Sequence, residues 1–515
     1  MHMENTIEKS VKPILVLWII SSLCYLPLIA RGLTNSIDGL WASTYYQAGN
    51  WELSIGRWAW LFLDKARDGY GAEPYNSLLT LLLIAIAVYI ATNMLMKHGE
   101  KPRYRFYIFA MLVMCSTTVC CYLSYRYMSP TFGMSVLLSV VAAWFITAEE
   151  DTKKKSYLNL AIATACLIVA LGLYQANIGC FCVVIILGMI NHIYHDDNKK
   201  ALSVFLKALL CGTVGCILYK IAWELCLRAR GVGAADYNGA NSLSILKMIL
   251  SLPKSVIRIY GYWISYFKFR DGNYVFSPIR IFVVLLVFGL LILVGIMKLR
   301  KSPKNLILYL LLIVLLPIGA DIFIVMAPDS VGVLAQMTFP MMMVIPLILC
   351  FLSEANIKRE WLLSLFAILL LYGNVYAVGT DIDAMAQGSN SSNTIMNNIV
   401  VSLNEKGLIS SDYQYAFFGN ISENVMFRKN ELYDMASTYA QFGTMLKKPD
   451  IVHKSYIGLV DDIGVNLDVV ENDPYLKIYY SGVLEDMPAY PAEGSIILED
   501  GVVIVKVSDD YKVEQ

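Results

Sequence analysis

The segment Arg31-Gly-Leu-Thr-Asn-Ser-Ile-Asp38 follows directly on the first apolar run of the chain and continues through Trp41, Tyr45 and Tyr46 to Gly56-Arg57-Trp58. An acid just beyond a membrane span stands where the polar head group of a membrane lipid is presented. Its carboxylate can serve as a general base. A hydroxyl attacking a sugar's anomeric carbon must lose its proton as a leaving phosphate departs, and one carboxylate within hydrogen-bond reach can take it. Arg57 can meet a phosphate with its planar fork, while Trp41, Tyr45 or Trp58 can stack on a sugar face. The same residues also fit a plainer reading, a capping Asp before a loop helix with a rim Arg and interface aromatics. Spacing alone leaves both open.

Further polar groups fall on the same side of the apolar runs. Tyr125-Arg126-Tyr127 follows the third run, Tyr174-Gln175-Ala176-Asn177 divides the fifth from the sixth, and Arg258, Arg270 and Asp271 occupy a long later connection. Asp321 lies inside the ninth run near its outer end, where an ionisable group typically faces a polar cavity; an interhelical hydrogen bond or a snorkelling carboxylate would also account for it. No metal site is expected. His192 and His195 are three apart but run into Asp196, Asp197, Lys199 and Lys200, a solvated loop, and the 11 cysteines form no CxxC pair. All 11 precede residue 381, mostly within apolar runs such as Cys120, Cys121, Cys180, Cys182 and Cys350, as buried free thiols.

The elements that must position these residues follow from composition. The 515 residues are 57% apolar and 16% charged, against roughly 25% charged in an ordinary soluble domain, which excludes a wholly soluble protein. Lys+Arg 41 balances Asp+Glu 41, so no nucleic-acid partner is expected. The charge is unevenly placed: residues 381–515 hold 21 acidic and 9 basic residues, a balance of −12, leaving 20 acidic and 32 basic, or +12, for residues 1–380.

A helix crossing about 30 Å of hydrocarbon needs roughly 20 mostly apolar residues. Eleven such runs occur, near 13–30, 76–96, 106–123, 131–148, 157–173, 178–194, 204–226, 279–297, 306–325, 333–352 and 361–378. Alternate short connections hold the basic residues, among them Lys97, Lys101, Arg103, Arg105, Lys153, Lys154, Lys155, Lys298, Arg300 and Lys301, whereas the other short connections hold only Arg126. Basic loops stay in the cytoplasm, so the N-terminus is expected inside and the acidic C-terminal part outside. The first run lacks a small-residue cleavage site and is expected to remain as a span.

Two outer connections, 31–75 and 227–278, are too long for turns, and long loops in compact proteins are usually functional. The second contains Leu243–Phe267, whose apolar residues at helical spacing predict an amphipathic helix in the interface or a packed outer helix. Beyond residue 380 the pattern predicts a small α+β domain. Its expected helices are Thr394–Leu408 and Glu431–Phe442; its expected strands are Tyr415–Phe418, Leu476–Tyr480, Ser495–Leu498 and Val502–Val507, the last two forming a hairpin.

Taken in order, several loose motifs resemble the Gtr type II membrane glucosyltransferases, which modify bacterial surface polysaccharides. They are Asp38 with Gly56-Arg57-Trp58, Ser124-Tyr-Arg-Tyr-Met-Ser-Pro130, Leu171-Gly-Leu-Tyr-Gln-Ala176, Gly373-Asn-Val-Tyr376, Phe418-Gly-Asn420, Met487-Pro-Ala-Tyr-Pro491, Gly494-Ser495 and the strand from Val502. The resemblance covers nearly the whole chain. It implies a GT-C-like polytopic α-helical membrane protein of about eleven spans (residues 1–380), with a small extracytoplasmic α+β domain (381–515), in a bacterial cell membrane. It further implies transfer of a hexose, glucose by the family's name, from a polyprenyl-phosphate carrier to a surface glycan, without a cofactor. Asp38 matches the family's functional carboxylate in the first outer loop, although many relatives carry two acids together there and this chain has Gly39 next. Arg57, Trp58, Arg126, Tyr174 and Gln175 are the implied donor-binding residues.

Three other functions compete. A transporter or lipid flippase would show paired repeats and discontinuous helices, and neither is evident. A polysaccharide polymerase or ligase shares the lipid-linked donor and is poorly separated by sequence. An anchored scaffold would leave the membrane part inert.

Overall fold

The computed structural model describes residues 2–36, 38–42, 45–96, 104–148, 152–236, 245–267, 277–326, 334–355 and 360–512. Arg270, Asp271 and the side chain of Trp41, singled out in the sequence, lie outside the described residues, as do Lys97, Lys101 and Arg103. The chain divides into two compact units. One comprises Met1–Leu26, Gln47–Tyr122 and Met128–Val378; the other comprises Pro27–Tyr46, Leu123–Tyr127 and Gly379–Gln515.

The first unit is a bundle of apolar helices. Among the described residues, eight helices are long and apolar enough to cross a membrane: Tyr75–Leu95, Ser129–Thr147, Lys153–Leu173, Gln175–Tyr194, Asn198–Arg230, Pro278–Leu299, Pro303–Ala320 and Trp361–Glu405. The first, third and tenth expected runs are also helical, as the shorter Ser10–Cys24, the broken pair Tyr104–Met114 and Thr117–Ser124, and the shorter Phe339–Glu354. Several starts follow from local chemistry: Thr152 and Asp197 side chains accept from Lys155 N and Lys200 N, and proline opens Ser129–Thr147, Pro303–Ala320 and Phe339–Glu354. Asn198–Arg230 ends on Gly231 in the left-handed region.

Outer faces are greasy. On Asn198–Arg230 the exposed residues Leu202, Phe205, Leu206, Leu209 and Leu210 recur at helical spacing on one face. Each would cost about 1.5–3 kcal/mol if left in water, so hydrocarbon is the solvent this face suits. The inner faces pack closely. Gly133, for example, brings Ser129–Thr147 against Tyr75–Leu95, where a Cβ would sit 3.2 Å from Thr80 O.

The broken pair bends by 51°. A break in lipid frees backbone groups that water cannot satisfy, and the bundle supplies partners for them. Tyr25 Oη accepts from Ser116 N (2.9 Å) and donates to the carbonyl of Met114 or Ser116 (2.9 Å each), while Asn374 Nδ2 donates to Leu112 O (3.1 Å). Asn374 belongs to the Gly373-Asn-Val-Tyr376 motif, which thereby acquires a structural use.

The helix Ile245–Phe267 forms where the amphipathic segment was read, and it packs on Pro303–Ala320 and Ile322–Met326. Trp263 Nε1 donates to Asp321 Oδ2 at 3.0 Å, so Asp321, fully buried, makes the interhelical bond that is one of its three readings.

In the second unit the strands β1 (Gln414–Phe418), β2 (Ile496–Glu499) and β3 (Val502–Lys506) form one sheet in the order β1-β3-β2. β1 runs parallel to β3 and β2 antiparallel to it, with Glu499 opposite Val502. Asp500 (φ 48°) and Gly501 (φ 80°) make the hairpin turn, both in the left-handed region that such two-residue turns require. The core gathers Ala416, Phe418, Val470, Tyr475, Leu484, Met487 and Ile504.

Two expectations are corrected here. Leu476–Tyr480 is not a strand but part of the helix Asn472–Tyr480, because Asp473-Pro474 opens a helix and Tyr475, Ile478 and Tyr479 then share the face packed on the core. Glu431–Phe442 is not one helix: the α-helix Glu431–Met435 ends, Ala436 and Ser437 are extended, and a 3-10 turn over Thr438–Ala440 follows, so that Ser437 N and Tyr439 Oη can reach the carboxylate of Asp381. The expected helix Thr394–Leu408 is largely the continuation of Trp361–Glu405, and the helix Pro449–Ile463 was not foreseen.

Candidate functional site

The sequence-derived candidates fall into two clusters, one in each compact unit. In the first unit, Gly56-Arg57-Trp58 lies against Leu171–Ala176 in a matched register. Gly172 makes room for the indole of Trp58, since a Cβ there would stand 2.7 Å from Trp58 Cε2. Tyr174 places its ring beneath the guanidinium of Arg57, 5.1 Å from centroid to Cζ. Gln175 Nε2 donates to Ile55 O (2.9 Å) and to Tyr219 Oη (3.0 Å), and Tyr219 Oη donates to Gly56 O (3.1 Å). Gly172, Tyr174 and Gln175 thus lie against Trp58, Arg57 and the turn at Ile55 and Gly56, respectively.

Each position is tightly specified. Gly56 has φ +90°, and a Cβ would meet Tyr219 Oη at 2.3 Å and Gln175 Nε2 at 2.7 Å, so only glycine fits the turn. Arg57 caps the helix Trp58–Arg67, and its own N–H donates to Glu52 O at 2.9 Å. Tyr174 stands edge-on to Phe132 (4.8 Å), and its carbonyl accepts from Ser135 Oγ at 3.1 Å. The Nε of Arg57 is buried, and no acceptor among the described residues reaches it. A half-buried guanidinium held over a ring, with an unanswered donor, is suited to an anion such as a phosphate.

Asp64, in the same unit, is fully buried with both oxygens engaged. Oδ2 accepts from Ala48 N (2.8 Å), and Oδ1 accepts from Arg67 Nε (2.8 Å) and pairs with Arg67 Nη2 (2.8 Å). Burial pushes its carboxyl above the usual range, against the pull of Arg67. This is the chemistry of a staple for the loop. Asp68, by contrast, is the exposed left-handed cap of Trp58–Arg67.

In the second unit, Asp38 opens the short helix Asp38–Trp41. The buried Asn35 directs that turn. Its Oδ1 accepts from Asp38 N (3.1 Å) and Gly39 N (3.0 Å), while its Nδ2 and backbone N–H both donate to Ser124 O (3.2 Å each). Thr34 Oγ1 donates to the same carbonyl at 2.9 Å. Arg126, on the segment that Ser124 begins, donates from Nη1 to Gly32 O at 3.0 Å. Asp38 and Arg126 thus lie on two strips of chain bound together by Asn35, Thr34 and Arg126 itself. Residue 39 must be glycine, because a Cβ would fall 1.9 Å from Thr34 Oγ1. A second acid directly after Asp38 has no room in this turn.

The Asp38 helix also packs on Pro449–Ile463, and Ser36 N donates to Tyr439 O at 3.2 Å. Tyr439 Oη in turn donates to Asp381 Oδ2 (2.6 Å), whose Oδ1 accepts from Ser437 N (2.8 Å). The buried Asp381 therefore helps to fix the ground on which the Asp38 segment rests. Asn35, Tyr219 and Asp381 were not singled out from sequence. Asn35, three residues before a helical turn, carried the only local signal, that of a helix cap.

Long apolar helices with greasy outer faces, together with a polar unit built on a small sheet, define a polytopic helical membrane protein. Residues 36–351 match the family described as Glucosyl transferase GtrII, and the chain belongs to that family. It is a membrane glycosyltransferase, with a sugar donor and a glycan acceptor as its partners. The matched stretch holds Asp38, Arg57, Trp58, Arg126, Tyr174 and Gln175; Gly373–Tyr376, Phe418–Asn420 and Met487–Pro491 fall beyond it. No curated protein matches the chain.

Proposed function

We propose that the chain transfers glucose from a polyprenyl-phosphate carrier to a cell-surface glycan at the outer face of the bacterial membrane, as a GT-C type enzyme. Asp38 takes the proton of the acceptor hydroxyl as that oxygen bonds to the anomeric carbon. The bond from that carbon to the phosphate oxygen breaks, the electron pair stays with the phosphate, and Arg57 offsets the added charge. Trp58 and Tyr174 shape the donor side, Gln175 holds the Gly56 turn that aims Arg57, and Arg126 is a second donor-phosphate cation. The observation that carries this reading is the guanidinium of Arg57, fixed on Tyr174 with a buried Nε that no described acceptor meets.

Mass spectrometry of the surface glycan from cells with and without the protein tests it. The expected difference is one side-branch hexose. A change in chain length at constant composition would assign a polymerase or ligase instead, and an unchanged glycan would remove the reading altogether.

In this proposal the N-terminus is cytoplasmic, eleven spans cross the membrane, and residues 381–515 form an extracytoplasmic domain, in accord with the loop charges. Ser411 is exposed and lies in that domain. A Ser411→Cys protein should react with an impermeant maleimide on intact spheroplasts, above the background of the parent chain. Labelling only after lysis would reverse the orientation and place the Asp38 segment on the wrong side for a surface glycan.

A further inference from the structure

Two segments singled out in the sequence, Phe418–Asn420 and Met487–Pro491, have no part in the chemistry above. In the second unit they border a recess of about 890 Å³, within the range of small-molecule sites. Its base is fixed by two buried amides. Asn424 Nδ2 donates to Tyr490 O (2.8 Å) and Val507 O (2.6 Å) while its Oδ1 accepts from Met426 N (2.8 Å); Asn420 Oδ1 accepts from Met445 N (3.1 Å). Four stretches of chain are thereby locked together before any ligand arrives, which lowers the ordering cost of binding.

The lining carries three acids and one lysine, Lys447. Glu423, Asp509 and Asp510 line the recess, and each is paired with a lysine: Glu423 with Lys429 (2.8 Å), Asp509 with Lys506 (2.8 Å) and Asp510 with Lys447 (3.0 Å). The pairs use Oε1 of the glutamate and Oδ1 of both aspartates, which leaves the second oxygen of each carboxylate to accept a hydrogen bond from a ligand hydroxyl. Each acid is offset by its own lysine, two of which, Lys429 and Lys506, stand outside the lining, so the recess offers no cluster of cations for a polyanion and no unbalanced acids for a polycation. Between them lie small apolar surfaces, Val425, Ala489, Pro491 and Ala492, with Val425 82% exposed. Alternating acceptors, donors and small apolar faces match a molecule whose hydroxyls both give and accept hydrogen bonds and whose C–H faces are weakly apolar. A peptide would call for a continuous apolar groove or an open strand edge.

We infer that this recess binds an uncharged saccharide segment of the acceptor glycan, which makes the C-terminal unit an acceptor-recognition module. The inference rests on the glycosyl-transfer reading for the identity of the glycan. The chemical class comes from the recess itself.

The test uses the full-length protein in nanodiscs and, as probe, the delipidated surface polysaccharide from cells lacking the protein. Hydroxyl-radical footprinting should show Val425 and Pro491 protected by this polysaccharide and not by dextran sulfate or polylysine. Val425→Arg, at an exposed position, and Asp510→Asn should each abolish that protection and raise the acceptor KM at least tenfold without moving the donor KM, with melting temperatures unchanged. Protection without any glucosyl transfer by the parent protein would sink the transferase reading and leave the saccharide site standing. Transfer with an unmoved acceptor KM in both variants, or protection by a peptide library in place of the polysaccharide, would overturn the site.

Discussion

Asp38→Asn is expected to lower sugar transfer by about 10² to 10⁴, the usual effect of losing a general base, while the protein reaches the membrane in normal amount. Asn35 bonds residue 38 through its backbone N–H, at 3.1 Å, and asparagine retains that group. The packing of Asp38–Trp41 on Pro449–Ile463 also belongs to the turn as a whole, so the amide should leave the local fold in place. Asp64 provides the contrast. Asp64→Ala deprives Arg67 and Ala48 N of their buried partner, a kind of loss that costs about 3–5 kcal/mol, and should reduce the amount of folded protein. Quantitative blotting together with transfer per folded molecule separates the two. If Asp38→Asn keeps transfer within about threefold of the parent, far less than a lost base would cost, while an Asp68→Asn protein is inactive, the base lies at the end of Trp58–Arg67 instead.

The apolar runs were legible because a span must hide its backbone from lipid, which forces long uninterrupted stretches that no other element needs. Among the described residues each run lies mainly on helix, and eight helices, or nine with the bent pair counted as one, are long and apolar enough to cross a membrane. The bend between Met114 and Thr117 was not legible, because the partners that make it tolerable, Tyr25 and Asn374, are about 90 and 260 residues away. Local reading also failed at Leu476–Tyr480, where five residues rich in Tyr and Ile suit a strand by composition and only Pro474 betrays the helix.

The site divides in the same way. Residue types marked Asp38 and Arg57 as capable of chemistry, and motif order along the chain marked Tyr174 and Gln175. Neither disclosed the register in which Gly172, Tyr174 and Gln175 meet Trp58, Arg57 and Gly56, since that pairing joins segments more than a hundred residues apart. Gly39 is the clearest case. As sequence it departs from a pattern of paired acids, and its steric cause, Thr34 Oγ1 at 1.9 Å from any added Cβ, exists only once the turn is folded.

Arg57 is expected to give the second large effect, and its two kinds of replacement should differ in a diagnostic way. Arg57→Ala removes the cation that answers charge on the departing phosphate, a loss comparable to deleting one preorganised donor of a charge-stabilising site, about 10² to 10³ in kcat. Arg57→Lys restores a charge over the Tyr174 ring but not the planar fork with its two parallel donors, so it should recover only a small part. The ring beneath can be tested separately. Tyr174→Phe keeps the π face and should stay within a few-fold of the parent, whereas Tyr174→Leu removes a contact worth about 0.5–2 kcal/mol and should cost roughly two- to thirtyfold. The measurement is single-turnover transfer from a polyprenyl-phosphate glucose donor, with donor affinity taken from its concentration dependence. Full activity in Arg57→Lys would mean that only net charge matters at this position. Full activity in Arg57→Ala would remove Arg57 from the donor site, and the register that binds it to Leu171–Ala176 would then be a packing device for the helix Trp58–Arg67 alone.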